Sequence, residues 1–136
     1  MSDLDATLAA AASGMRAQST RMRIAAENVA NANSTGADPN SDPFRRRIPV
    51  IEATQLPDGA RGASVVGARV DMSAFRSEYR PGHPAADAQG YVRLPNVDTL
   101  VEMMDLRDAT RAYEANLNMI EAARSLTSRT LDLLRR

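Results

Sequence analysis

The chain has 136 residues, enough for one domain, and its 17 basic and 17 acidic residues give a formal net charge of zero. A neutral chain without a clustered positive surface gives no electrostatic basis for binding nucleic acid or an anionic membrane. The absence of cysteine excludes disulfides, zinc–thiolate sites and thiol nucleophiles. No segment approaches the ~20 apolar residues of a membrane helix, and the acidic start MSDLDATLAA predicts no cleavable signal peptide.

The first predicted element is a helix from about residue 2 to residue 33. Ser2 and Asp5 have the spacing of a capping box, and the turn formers of STGADPNSDP end the helix. Large apolar residues recur along it in a 3–4 alternation, which predicts a seam that packs against another helix. The large seam residues are Leu4, Leu8, Met15, Met22 and Val29.

A β-hairpin is predicted next. The segments 44–52 (FRRRIPVIE) and 64–72 (SVVGARVDM) alternate like strands, and Asp58-Gly59 between them supplies a turn. Pro49 indicates that the first strand is an edge strand or a bulged one. Because a lone hairpin is marginally stable in water, it needs another surface to rest on.

Residues 77–96 contain three prolines and two glycines, and we predict an ordered loop there. A second long helix is predicted from residues 96–99 to Leu134, where Thr99 and Glu102 have the spacing of a capping box. It also shows a 3–4 alternation. Its large seam residues are Met103, Leu106, Tyr113, Leu117, Ile120, Leu131 and Leu134.

The predicted fold is mainly α: long N- and C-terminal helices form an antiparallel coiled-coil hairpin, with a small β-hairpin/loop insert between them. The predicted division is an N-terminal helix in residues 1–35, a middle insert in 36–95 and a C-terminal helix in 96–136. A two-helix hairpin covers each seam on one side only. We therefore expect the seams to pack partly against each other within the chain and partly against helices of other subunits, and the termini to become ordered on assembly.

No catalytic, metal or cofactor site is predicted. His83 is the only histidine and lies in a Pro-Gly-His-Pro turn, without the partners that a metal site or a catalytic triad needs. The one basic cluster is Arg45, Arg46 and Arg47. It could contact phosphate or acidic residues of a neighbouring subunit, or it could simply protect an exposed strand edge with charge. An enzyme is not expected.

Several sequence motifs, in the helices and in the segments between them, resemble those of a known protein family. SGMRAQSTRMRIAAENVANANSTG resembles the N-terminal signature of bacterial flagellar rod and hook proteins, with Glu27 where many relatives have Asn. The segments DPFRRRIPVI and PGHP…GYVRLPNV, followed by the EMMDL helix and RAYEAN, resemble the short proximal-rod members of that family. The residues of this sequence that match the family motifs are Asn28, Asn31, Asn33, Tyr113, Glu114 and Asn116.

The resemblance implies a structural subunit of the flagellar basal-body rod, the drive shaft that spans the periplasm. It implies export by the flagellar type III apparatus and assembly with copies of itself, with the proximal-rod proteins FlgB and FlgF, the distal-rod protein FlgG and the rod-base protein FliE. It also implies terminal helices in an inner core around the export channel and a middle segment outside it. Neither nucleic-acid binding nor membrane insertion is expected. Periodicity alone also permits a cytosolic coiled-coil adaptor or dimerisation module, which would be a stable dimer in solution.

Overall fold

The computed structural model describes residues 3–135. The order of elements is α1 (Asp3–Ala30), β1 (Arg47–Gln55), β2 (Arg61–Val70), β3 (Arg76–Tyr79), β4 (Tyr91–Leu94) and α2 (Thr99–Leu134). The four strands form two separate antiparallel pairs, β1–β2 and β3–β4.

The two helices lie side by side and run in opposite directions. Gly14 in the middle of α1 faces Asn116, and near the end of α1 the Asn28 side chain reaches Glu102 in the first turn of α2. The row of α2 that faces α1 has small or polar residues at every seventh position and larger, half-buried ones between them. This inner row is Glu102, Leu106, Ala109, Tyr113, Asn116, Ile120 and Ala123, and it ends at the exposed Thr127.

The β1–β2 hairpin lies along α1. The hydroxyl of Ser13 accepts a hydrogen bond from the Ala63 amide at 3.1 Å, and a Cβ at Gly62 would collide with that hydroxyl. Glycine at this position therefore allows the hairpin to approach the helix. The sheet has two strands, so β1 is an edge strand, which confirms one of the two alternatives predicted from Pro49. The register shifts between Val50 and Ile51, but the extra residue at this irregularity is Val66 of β2 and not a residue of β1.

The β3–β4 pair occupies part of the segment that the sequence predicted to be loop, so that prediction is wrong. Val92 and Leu94 of β4 are buried, with 0% and 2% of their surfaces exposed. Arg76 of β3 donates hydrogen bonds to the carbonyls of Pro95 and Ala32, which ties this pair to the end of α1. Short strands between prolines and glycines carry too little periodic signal to be distinguished from loop.

The predicted fold class is wrong. The structure is not a hairpin of terminal helices with a small insert, because residues 31–98 contain two antiparallel sheets and one of them covers the middle of α1. The physical reason is that α1 has small residues around most of its circumference. It therefore accepts close neighbours on two sides, α2 on one and the β1–β2 hairpin on another.

The helix ends differ from the prediction in detail. The N-cap of α2 is Asp98, whose carboxylate accepts a hydrogen bond from the Leu100 amide at 3.0 Å. The predicted Thr99–Glu102 capping box is therefore wrong, and Glu102 has other partners. Helix α1 ends at Ala30 and not at Asn33. The predicted cap at Ser2 lies outside the described residues.

Candidate assembly surface and its polar junction

The end of α1, the start of β1 and the first turns of α2 meet at a cluster of polar side chains. We call this cluster the polar junction: it consists of Asn28, Arg46, Asp71, Glu102 and Asp105. Glu102 is 2% exposed and Asn28 is fully buried. A buried carboxylate is costly unless it is paired and hydrogen-bonded, so the partners of Glu102 determine whether this end of the molecule is stable.

Arg46 provides the positive charge of the junction. Its guanidinium donates a hydrogen bond to Glu102 from Nε, and it lies 3.4 Å from Asp105 and 3.8 Å from Asp71. Burial disfavours the charged guanidinium, but the hydrogen bond and charge of Glu102, and the charges of Asp105 and Asp71, outweigh that effect. The pKa of Arg46 is therefore raised above its ordinary value.

Asn28 holds α1 to both neighbouring elements. Its amide nitrogen donates to the Arg47 carbonyl at 2.8 Å and to the second oxygen of Glu102 at 3.1 Å, and its oxygen accepts from the Arg47 amide at 3.0 Å. Asn96 holds Arg46, the residue before Arg47, in a similar way: the side-chain oxygen of Asn96 accepts a hydrogen bond from the Arg46 backbone amide at 2.8 Å. Every buried side-chain nitrogen and oxygen in residues 3–135 has a partner.

Sequence reasoning found Asn28 through the family motif but missed Glu102, Asp105 and Asn96 as parts of a single site. An acidic residue in the first turn of a helix is ordinarily a cap or a solvated charge. The one available signal was the heptad position of Glu102, which lies on the same helical row as Ala109, Asn116 and Ala123.

The other two arginines of the basic cluster are less buried. Arg45 lies over the ring of Phe75, 4.0 Å from its centroid, and donates to the Ser73 carbonyl at 3.4 Å. Arg47 pairs with Glu27 at 3.1 Å, and its side chain is 42% exposed. The three therefore have quite different surroundings: Arg46 points into the junction, while Arg47 has most freedom to contact a second molecule.

The predicted seam residues divide by burial. Those of α1 are all half-buried, as are Leu106, Tyr113 and Ile120 of α2. Met103 and Leu117, which flank the inner row of α2, are 59% and 38% exposed. At the far end of α2, Leu131 and Leu134 are 55% and 78% exposed. Contact of these residues between subunits stays a prediction.

The remaining motif residues are spread along both helices. The side-chain amide of Asn31 donates to the Glu27 carbonyl at 2.9 Å, at the end of α1, while Asn33 and Glu114 are exposed. Asn116 packs so closely on α1 that a Cβ at Gly14 would come within 2.7 Å of its amide nitrogen. The motif residues Asn28 and Asn116 therefore fix how the two helices pack, each at a different level.

An apolar groove of about 390 Å³ opens between the helices on the side away from the hairpin. It is lined by Ala12, Met15, Arg16, Ser19, Tyr113 and Ile120. The imidazole of His83 accepts a hydrogen bond at Nδ1 from the Ala85 backbone amide, at 3.0 Å, within its own turn. Within residues 3–135, no three acidic or histidine side chains are grouped as a metal site would require. Neither helix in these residues combines the length and the hydropathy of a membrane-spanning segment.

Both helical regions match known families. Residues 8–37 match the family described as "Flagella basal body rod protein", and residues 88–133 match "Flagellar basal body rod FlgEFG protein C-terminal". The flagellar basal-body rod protein FlgC of Agrobacterium fabrum is 46% identical, with 99% of this chain and 98% of that protein aligned. The chain belongs to the FlgC family of flagellar basal-body rod proteins.

Two more distant members of the FlgC family agree over most of the chain. The Aquifex aeolicus protein is 39% identical over 97% of this chain and 98% of its own length. The Salmonella typhimurium protein is 38% identical over 90% of this chain and 92% of its own length. FlgC proteins are structural proteins of the flagellar rod, so the prediction that this chain is not an enzyme is confirmed, as is the predicted family. The adaptor alternative is no longer needed.

Within a FlgC protein, the polar junction and the exposed helical faces have different roles: the first joins α1 to α2, and the second are available to other molecules. The first matched region contains Asn28, and the second contains Glu102 and Asn116, so the regions that define the family include the contacts that join α1 to α2. A rod protein assembles with other components of the rod. The apolar residues that this chain leaves exposed on α2 are therefore candidates for contact with those components.

Proposed function

We propose that the chain is a subunit of the proximal rod, where it polymerises through its terminal helices and forms part of the periplasmic drive shaft and the wall of the export channel. The observation that carries this proposal is the exposure of α2. Only Glu102, Ala109 and Ala123 of its 36 residues are buried. A helix this long with so little burial needs further partners to be stable, and helices of adjacent subunits would provide them.

The proposal places residues 1–35 and 96–136 in an inner core and residues 36–95 on the outside. Packed helices interlock ridge into groove and resist sliding, which suits a shaft that transmits torque. The outer segment has apolar residues of its own to offer to neighbours. Val66 and Val70 of β2 are 58% and 46% exposed, and Met72, just beyond the end of β2, is 75% exposed.

The expected neighbours are copies of the chain, the proximal-rod proteins FlgB and FlgF, the distal-rod protein FlgG and the rod-base protein FliE. The chain would reach them through the flagellar type III export apparatus. Among the basic cluster, we expect Arg47 to be the strongest inter-subunit contact and Arg45 a weaker one. Arg46 already has three carboxylate neighbours within the chain.

Mass spectrometry of purified hook–basal-body particles tests this proposal. We expect the peptides covering residues 48–69 and 112–124 at a stoichiometry comparable to that of other rod components. Intact particles that lack both peptides, from cells in which the chain is abundant in the cytosol, would rule out a place in the rod. Arg47→Glu should reduce incorporation of the chain into the particles. Arg69→Glu is the matched control, because Arg69 is an exposed arginine of β2.

A further inference from the structure

A second row of side chains on α2 has the spacing of a helix-packing seam, yet nearly all of its members are exposed. We call this row the outer seam. Its members are three or four residues apart, and eight of the ten are apolar. The members are Val101, Met104, Asp108, Ala112, Ala115, Met119, Ala122, Leu126, Arg129 and Leu133.

The outer seam is exposed where its side chains are large. Met104, Met119 and Leu126 are 61%, 51% and 60% exposed. Most members of the outer seam come one position before a residue of the inner row. Because successive residues of an α-helix are about 100° apart, the outer seam is rotated by roughly 100° around α2, towards the side that Tyr113 does not face. An exposed and mostly apolar row of this length indicates a surface that packs against another molecule.

Helix α1 has an exposed face of the opposite character. We call it the smooth face: it consists of Ala12, which is half-buried, and the exposed Ser19, Ala26 and Ala30, with Arg16 and Arg23 along its edge. Ala12 and Ser19 line the apolar groove together with Tyr113, so the smooth face lies on the Tyr113 side of the helix pair and the outer seam lies on the other side. One side of the helix pair therefore presents large apolar side chains, and on the other side α1 presents small ones bordered by two arginines.

We propose that the outer seam of one copy packs on the smooth face of a second copy of this chain. This inference rests on the proposed function and specifies which surfaces meet. If neighbouring copies point the same way, α2 of one copy runs antiparallel to α1 of the next, as it does within the chain. At the register found within the chain, Met119 then meets Ala12, Ala112 meets Ser19 and Met104 meets Ala26.

Charge agrees with this register. Asp108 of the outer seam comes opposite Arg23 of the next copy, and these two charges are of opposite sign. Arg23 is 59% exposed even in its pair with Glu27, so it can also reach an incoming carboxylate. A like charge at this position would have opposed the arrangement.

The contact joins two different surfaces, so it is heterologous. A heterologous contact leaves each added copy with one free outer seam and one free smooth face, and it therefore generates rings or open helical assemblies, not closed dimers. The same contact also alternates α1 and α2 around the assembly. This arrangement covers the exposed apolar row of α2 without any rearrangement of the chain.

Site-specific cross-linking tests the pairing, because the chain has no cysteine of its own. The test variant is Ala12→Cys/Met119→Cys in the full chain, treated with a short bis-maleimide under assembly conditions and in isolated basal bodies. The matched control is Ala12→Cys/Ile120→Cys, whose two positions line the same groove within one copy. We expect a ladder of covalent multimers from the test variant and a cross-linked monomer from the control.

The outcomes separate this inference from the proposed function. If the test variant is incorporated into basal bodies but gives no multimers, the outer seam is not the contact, although the chain is still a rod subunit. Dimers from Met119→Cys alone, without any link to Ala12→Cys, would show that like faces meet and would overturn the inference. A chain that never enters basal bodies would overturn the proposed function as well.

A charge substitution gives a second test that does not depend on cross-linking. Met119→Asp should reduce incorporation by about tenfold or more, because the interface would bury an unpaired carboxylate. Asn118→Asp introduces the same charge one residue away, on the exposed side opposite α1, and should leave incorporation unchanged. Equal incorporation of the two variants, with equal helicity by circular dichroism, would overturn the proposed contact.

Discussion

The two ends of the helix pair are held by different chemistry. At the polar junction, α1, β1 and α2 are joined by hydrogen bonds and ion pairs around the buried Glu102. At the other end, the last buried residue of α2 is Ala123, and beyond it Leu126, Leu131 and Leu133 are 60%, 55% and 73% exposed. One end is closed by contacts within the chain, and the other presents apolar surface to the outside.

This difference shows which region of the molecule specifies its own fold and which region depends on neighbours. A buried polar network has few acceptable arrangements, because every donor and acceptor must find a partner. Exposed leucines on a single helix impose no such restriction and contribute stability only when another surface covers them. We therefore expect substitutions at the junction to change the stability of the isolated chain, and substitutions at the far end to change assembly.

The largest expected effect comes from Arg46→Ala. It leaves the buried carboxylate of Glu102 without its main counter-charge, and breaking a buried pair in this way costs about 3 kcal/mol or more. Arg47→Ala is the matched control, since its partner Glu27 is 36% exposed and such pairs contribute about 1 kcal/mol or less. Urea unfolding followed by circular dichroism measures both. If both variants lose the same free energy of unfolding, the Arg46–Glu102 pair does not stabilise the chain more than the Arg47–Glu27 pair does.

Asn28→Ala should cost about 2 kcal/mol. It removes both side-chain bonds to the Arg47 backbone and one bond to Glu102, and it leaves buried polar groups without partners. Asn33→Ala, at an exposed motif position, should change the free energy of unfolding by no more than about 0.5 kcal/mol. A larger loss from Asn33→Ala in the isolated chain would contradict a division between folding and assembly roles among the motif asparagines.

Gly14 tests how closely the helices pack between the two ends. Replacing a helical glycine by alanine ordinarily stabilises a helix by about 1 kcal/mol, but here the new methyl group would displace the Asn116 side chain. Gly14→Ala should therefore bring no gain in the free energy of unfolding by itself. The same change in an Asn116→Ala background should bring the full gain of about 1 kcal/mol. A gain of the same size in both backgrounds would mean that the contact imposes no strain.

The smallest expected effect concerns acid. The Asp71 carboxylate accepts a hydrogen bond from the Ser73 amide at 2.9 Å, which lowers the pKa of Asp71. Because the folded-state pKa lies below the unfolded value of about 3.9, this stabilisation is present above that pH and is lost as the pH falls through the folded-state pKa. Asp71→Asn should flatten the pH dependence of stability below about pH 4, and Ser73→Ala, which keeps the amide donor, should largely preserve it.

The sequence predicted the positions of the two helices and of the β1–β2 hairpin from periodicity, and the family from its motifs. It failed where the decisive contacts are long-range. The predicted row on α2 included Met103 and Leu117 because they are large and apolar. The helices instead approach through Ala109 and Ala123, because small residues permit the closest packing, while Met103 and Leu117 stay on the flank.

The polar junction could not be predicted from the sequence because its contacts, too, are long-range. Burial of Glu102 is acceptable only because Arg46, 56 residues away in sequence, lies against it, and nothing local indicates that pairing. The strands β3 and β4 are four residues each and lie among prolines and glycines, so their hydrophobic alternation is too short to be decisive. In β4 only the alternation of Val92 and Leu94 pointed to a buried strand.

Hydrogen–deuterium exchange of the isolated chain and of assembled basal bodies tests the contrast between the two ends most directly. In the isolated chain, we expect slow exchange of backbone amides in residues 20–30 and 102–110, around the junction, and fast exchange in residues 124–134. In basal bodies, residues 124–134 should become protected. If residues 124–134 are as protected in the dilute monomer as residues 102–110, the far end of α2 is stable without neighbours, which contradicts the proposed contrast between the two ends.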